Sequence, residues 1–76
     1  MRRRRLKVKE VAAEKKMSMG KLSRSSDVSY RTIKLIYDDP YRDASLDTLD
    51  KIAHALEAEI ADLIEYVDED EVSNDE

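Results

Sequence analysis

Apolar residues in this 76-residue chain recur at three- and four-residue steps and rarely alternate. Helices are therefore the expected elements. Leu46, Leu49, Ile52, Ala53 and Leu56 fall on one face of a helix. Ser45 stands at its N-cap position, and Asp47 and Asp50 occupy its first turns, where the helix dipole favours negative charge. Leu6, Val8, Val11 and Ala12 give a first helix, from about Arg5 to Lys16, a modest apolar stripe. Ser18 caps a second helix that reaches about Ser26, with Gly20 weakening it by about 1 kcal/mol relative to alanine. Asp27-Val28-Ser29 interrupts the pattern, and Ser29 caps a third helix to about Tyr37. Pro40 stops that helix, and a polar loop runs from Asp38 to Ala44. Ile60, Leu63, Ile64 and Val67 mark a last short helix. The expectation is an all-α fold of five short helices around one small core.

Composition narrows the chemistry. The absence of cysteine excludes disulfides, thiolate metal sites and cysteine nucleophiles. The one histidine, His54, lies opposite Leu49, Ile52 and Leu56 on the helical wheel, so it is expected at the surface and not as a metal ligand. No glycine-rich phosphate loop or nucleophile–base pairing is visible. A non-enzymatic protein without cofactor or metal is expected. No apolar run approaches the roughly 18 residues of a membrane span. No apolar stretch follows Arg2-Arg3-Arg4-Arg5, so a secretory signal is not expected either. A cytoplasmic protein is the expectation.

The net charge of −4 hides a strong segregation. Residues 1–42 carry thirteen Lys and Arg against five acids, a net of +8. Residues 43–76 carry one Lys against thirteen acids, a net of −12. A polyanion is drawn to the first half and repelled by the second. Three parts follow: a basic N-terminal arm at 1–5, a domain at 6–67 and an acidic, disordered tail at 68–76.

The informative stretch is Ser18 to Tyr37, two short helices joined by a tight turn, which is the helix-turn-helix unit. Leu22, Ile33 and Ile36 must be apolar to fix the helix crossing, and Val28 must plug the turn. Ser23 must be small where the helices approach. Asp27 stands where the chain turns through a left-handed conformation, which Asp tolerates better than most residues. At about 100° per residue, Ile33, Ile36 and Tyr37 point one way, and Arg31 and Leu35 the other. Arg31 can reach a guanine edge in the bidentate manner, and Leu35 a thymine methyl. Tyr30 can read a base or lie on the sugar-phosphate edge. Ser29, Thr32 and Lys34 suit phosphates, as does Arg42 in the following loop. Arg2, Arg3, Arg4 and Arg5 are expected to form a flexible arm on the phosphates or in a minor groove.

The chain resembles the Cro/C1-type (XRE-like) helix-turn-helix family from about Leu6 to Tyr66. Met17-Ser18, Leu22-Ser23, Val28-Ser29, Thr32-Ile33 and Ile36 carry the likeness. So do the stretches Leu46 to Glu57 and Asp62 to Glu65. The resemblance implies a five-helix repressor-like domain whose third helix enters the major groove, commonly as a dimer on a palindrome. It implies a prokaryotic transcriptional repressor with double-stranded DNA as partner. A homodimer through Tyr66, Val67 and Leu63 is a further expectation, and a toxin is the partner in an alternative, antitoxin-like reading. A protein-binding adaptor is a third reading. The chain departs from the family pattern at four places. Met19 stands for a phosphate-holding Gln, Asp27 for the turn Gly, Ala12 for an Arg, and Tyr37 for a Glu. Val28 to Lys34 is also similar to the recognition segment of MerR-type regulators. There a winged section follows, whereas here a long amphipathic helix does.

Overall fold

Serines set where the central helices begin. Ser18, Ser29 and Ser45 are extended, and the Oγ of each accepts from the backbone N–H three residues on. In the computed structural model, which describes residues 2–68, they open α2 (Met19–Ser26), α3 (Tyr30–Asp38) and α4 (Leu46–Leu56). Helix α1 (Val8–Glu14) precedes them, and a 3₁₀ turn at Ile60–Leu63 follows. Strand β1 (Arg2–Leu6) and strand β2 (Ile64–Asp68) pair antiparallel at the two ends of the described chain.

The core takes one or more side chains from every helix: Val8, Val11 and Ala12; Leu22; Ile33 and Ile36; Leu49, Ile52, Ala53 and Leu56. Leu6 and Leu63 close it below the strands, and Val28 closes it at the turn. Leu22, Ile33, Ile52, Leu56, Leu63 and Val8 are fully buried. Each such side chain contributes about 1.5–3 kcal/mol by leaving water. Helices α2 and α4 end without glycine, at Asp27 and Glu57, each of which takes a left-handed conformation with φ 61° and 56°.

The fold is thus not all-α, and the described residues do not form five helices. Among them are four α-helices, a 3₁₀ turn and a two-stranded sheet. The first helix begins at Val8 and not at Arg5, because residues 2–6 are drawn into the ladder with 64–68. Register runs from Arg2↔Asp68 to Leu6↔Ile64. Leu6 is buried, its N–H donates to the Pro40 carbonyl at 2.7 Å, and the Lys7 N–H donates to Leu63 O at 2.7 Å. The expected last helix is a single 3₁₀ turn, after which Ile64, Tyr66 and Val67, strong strand formers, extend as β2. Asp68 closes β2, and the remainder of the acidic tail lies outside the described residues. Among the described residues no helix is long and apolar enough to cross a membrane.

Candidate nucleic-acid interface

The turn between α2 and α3 is clipped by two serines. Ser23 Oγ donates to the Val28 carbonyl at 2.6 Å. Ser26 Oγ accepts from the Val28 N–H at 3.3 Å. Asp27 supplies the left-handed residue between them, and Val28 is buried beneath. Small size at Ser23 is therefore only part of its use. The hydroxyl ties the end of α2 to the start of α3, and Ser26 is buried in the same clip. A wheel reports side, not hydrogen bonds, so this clip escapes the sequence.

Leu22, Ile33 and Ile36 lock one side of the pair, and Tyr37 packs against the core. Burial first, then the Glu10 charge, raise the pKa of the Tyr37 phenol above its ordinary value. The opposite side of α3 is open. Tyr30 is 49% exposed and Leu35 39%, and Arg31 and Lys34 are exposed beside them. These four project from the first two turns of α3. Ser29 Oγ accepts from the Thr32 N–H at 3.1 Å and donates to Thr32 Oγ1 at 2.9 Å. Both hydroxyls thus hold the helix start, whose first N–H groups have no partner within the helix. Such a start suits an anion. Lys34 Nζ lies 3.5 Å from Asp38, an exposed pair of little strength that a phosphate can displace.

On α2, Lys21 and Arg24 are exposed on the side away from Leu22. They were absent from the expected site, although a wheel of α2 would have found them. Arg42 is exposed in the loop beyond α3, away from the four residues of its first turns.

The N-terminal arginines are not a loose arm. They form β1 and have partners within the molecule. Arg2 lies over the Tyr66 ring and Arg3 over the Tyr41 ring, each 4.2 Å from the centroid. Arg4 pairs with Asp43 at 2.7 Å. Arg5 is half-buried between Glu10 and Glu65, the latter at 2.9 Å. Hydrogen bonds to Glu10 and Glu65 raise the Arg5 pKa despite partial burial. Burial pushes the Glu10 carboxyl up, but the bond from Arg5, its own backbone N–H, and the charges of Arg5 and Lys9 outweigh that and hold it below the usual range. Through Tyr41, Asp43 and the Leu6–Pro40 bond, β1 braces the loop that leaves α3.

Among the described residues no three His, Cys, Asp or Glu gather as a metal site. His54 is exposed near the end of α4.

No curated protein and no solved structure matches the chain. A family model described as the Cro/C1-type HTH DNA-binding domain matches residues 7–69, from the residue before α1 to just past β2. With most of its length matched, and with α2, the clipped turn and α3 forming two short helices joined by a tight turn, the chain belongs to the Cro/C1-type helix-turn-helix family of DNA-binding domains.

Proposed function

We propose that this protein is a sequence-specific transcriptional repressor that places the first two turns of α3 in the major groove. The observation that carries the reading is the outer face of α3. Tyr30, Arg31, Lys34 and Leu35 stand exposed together while the inner face is locked by Ile33 and Ile36. Arg31 donates to a guanine O6/N7 edge, Leu35 meets a thymine methyl, and Tyr30 reads the neighbouring base or sugar. Lys34 exchanges Asp38 for a phosphate. The N–H groups that start α3, held in place by Ser29 and Thr32, take another phosphate. Lys21 and Arg24 on α2 extend the phosphate track, and Arg42 meets the backbone farther along. Arg2, Arg3 and Arg4 add long-range attraction, whereas Arg5 serves the fold.

Asp38 and Asp39 limit how far α3 enters. They stand at its C-terminal end and repel phosphates there, so the N-terminal turns make the base contacts. Repression by occluding a promoter needs nothing beyond this binding.

Selection of bound sequences from random duplex DNA tests the reading. A defined site is expected for the wild-type chain, with one base preference lost in Arg31→Ala. Enrichment of no sequence, or an identical site for both chains, would overturn it.

A further inference from the structure

Arg42 is the one cation in the connection between α3 and α4, residues 39–45. The first half of that connection holds itself. Pro40 fixes its own φ, the Asp39 carboxylate accepts from the Tyr41 N–H at 3.2 Å, and the Asp39 carbonyl accepts from the Arg42 N–H at 3.2 Å. The rest is gripped from outside, by β1. The Leu6 N–H donates to the Pro40 carbonyl at 2.7 Å, Arg3 lies over the Tyr41 ring 4.2 Å from its centroid, and Arg4 bonds Asp43 at 2.7 Å. Leu6 is itself buried and pairs with Ile64 in the ladder, so the strand that does the gripping is anchored in the core. The residues on both sides of Arg42 are thus held by neighbouring arginines of one strand. The Arg42 side chain is exposed between them and makes no ion pair with a described residue.

We propose that Arg3 and Arg4 are positioning residues for Arg42, clamping Tyr41 and Asp43 so that Arg42 meets a DNA phosphate already in place. The inference rests on the DNA reading above. A side chain on a free loop has to be immobilised when the phosphate arrives, and that ordering weakens binding. A clamped one is ordered by folding. Each side-chain grip is weak alone, since Arg4 and Asp43 are 59% and 89% exposed. A cation over an exposed ring holds with similar strength. They act together because they seize the residues before and after Arg42, with the Leu6–Pro40 bond as pivot. Charge separates this role from simple attraction. Asp43 is an acid next to the proposed phosphate contact. If Arg3 and Arg4 only added positive potential, removing Asp43 would tighten DNA binding. As one jaw of the clamp, its removal loosens Arg42, and binding weakens.

Binding of the full chain to duplex DNA across a salt series tests the clamp. Arg42→Ala should lower affinity about fivefold and flatten the slope of log K against log salt by roughly one. Tyr41→Ala/Asp43→Ala, which keeps Arg42, should lose the same slope and bind more weakly than wild type, although it carries one negative charge fewer. Adding Arg42→Ala to that pair should then change nothing further. Tyr41→Phe, which keeps the ring under Arg3, should bind like wild type. Melting curves establish that each variant folds, and Asp43→Ala alone gives the same test of sign if the double variant melts early. A folded chain without Asp43 that binds DNA more tightly than wild type would overturn the clamp. So would a full Arg42→Ala loss in the Tyr41→Ala/Asp43→Ala background. A wild-type chain with no affinity for duplex DNA would instead remove the DNA reading, and the positioning role with it.

Discussion

Helix α3 starts at Ser29 and α4 at Ser45. In both, the cap hydroxyl accepts from the N–H three residues on and donates to that residue's threonine hydroxyl. Both bury one apolar face against the same core. Both carry a Lys–Asp pair four residues apart at 3.5 Å. The order of that pair is reversed between them. In α4, Asp47 precedes Lys51, so the acid sits at the positive end of the helix dipole. In α3, Lys34 precedes Asp38, and the acid sits at the negative end, where it is less stable. Helix α4 is thus arranged for its own stability. Helix α3 gives up a few tenths of a kcal/mol and leaves its opening turns cationic. Each helix also exposes one leucine. Leu35 stands beside Arg31, whereas Leu46 stands beside Asp43 and Asp47. Equivalent scaffolds therefore carry one outer surface that is cationic and another that mixes both charges.

Mutations can separate the shared inner faces from the divergent outer ones. The largest effects belong to the shared part. Ile33→Ala and Ile52→Ala remove fully buried side chains and should each lower unfolding free energy by about 2–5 kcal/mol in urea titrations. A loss at one site only would show that the two helices do not share a core equally. Arg31→Ala comes next. It should weaken binding to the selected site by about 1–3 kcal/mol, with stability changed by no more than about 0.5 kcal/mol. Lys51→Ala on α4 should leave DNA affinity unchanged and cost stability only a few tenths of a kcal/mol, and an equal loss of DNA affinity there would dissolve the contrast. Ser29→Ala and Ser45→Ala should each reduce stability by about 1 kcal/mol, read from thermal melts. Only Ser29→Ala should also lower DNA affinity, because only that helix start faces a phosphate in the proposed binding mode. The smallest change is a gain. Glu57→Gly relieves the left-handed residue after α4 and should stabilise the fold by up to about 1 kcal/mol. Asp27→Gly, after α2, should gain less, because Asp tolerates that conformation better.

What could be read from the sequence is what depends on neighbours within a few residues. The caps at Ser18, Ser29 and Ser45, the left-handed Asp27 and the inward Leu22, Ile33 and Ile36 all have local causes, and all stand as expected. The outer face of α3 followed from the same wheel. The ribbon did not follow. Four consecutive arginines carry no strand pattern, and their pairing depends on residues some sixty positions away, such as Glu65 with Arg5. A cue lay in Ile64-Glu65-Tyr66-Val67, where β-branched and aromatic residues outweigh the helical spacing of Ile60, Leu63 and Ile64. The role of the arginines changed with it. Stacked on Tyr66 and Tyr41 and bonded to Asp43, Glu10 and Glu65, they brace the domain as well as charging it.

That pairing of the two ends has a kinetic consequence. The helices close through short loops, and their contacts form quickly. The β1–β2 ladder joins residues 60 positions apart in the Arg5–Glu65 pair, so it bears the largest loop-closure entropy and should form late. During synthesis β1 is made before β2 and has no strand to pair with until β2 has left the ribosome. The β1 arginines remain solvated through that interval, and their charge is open to any polyanion in reach before the ladder forms.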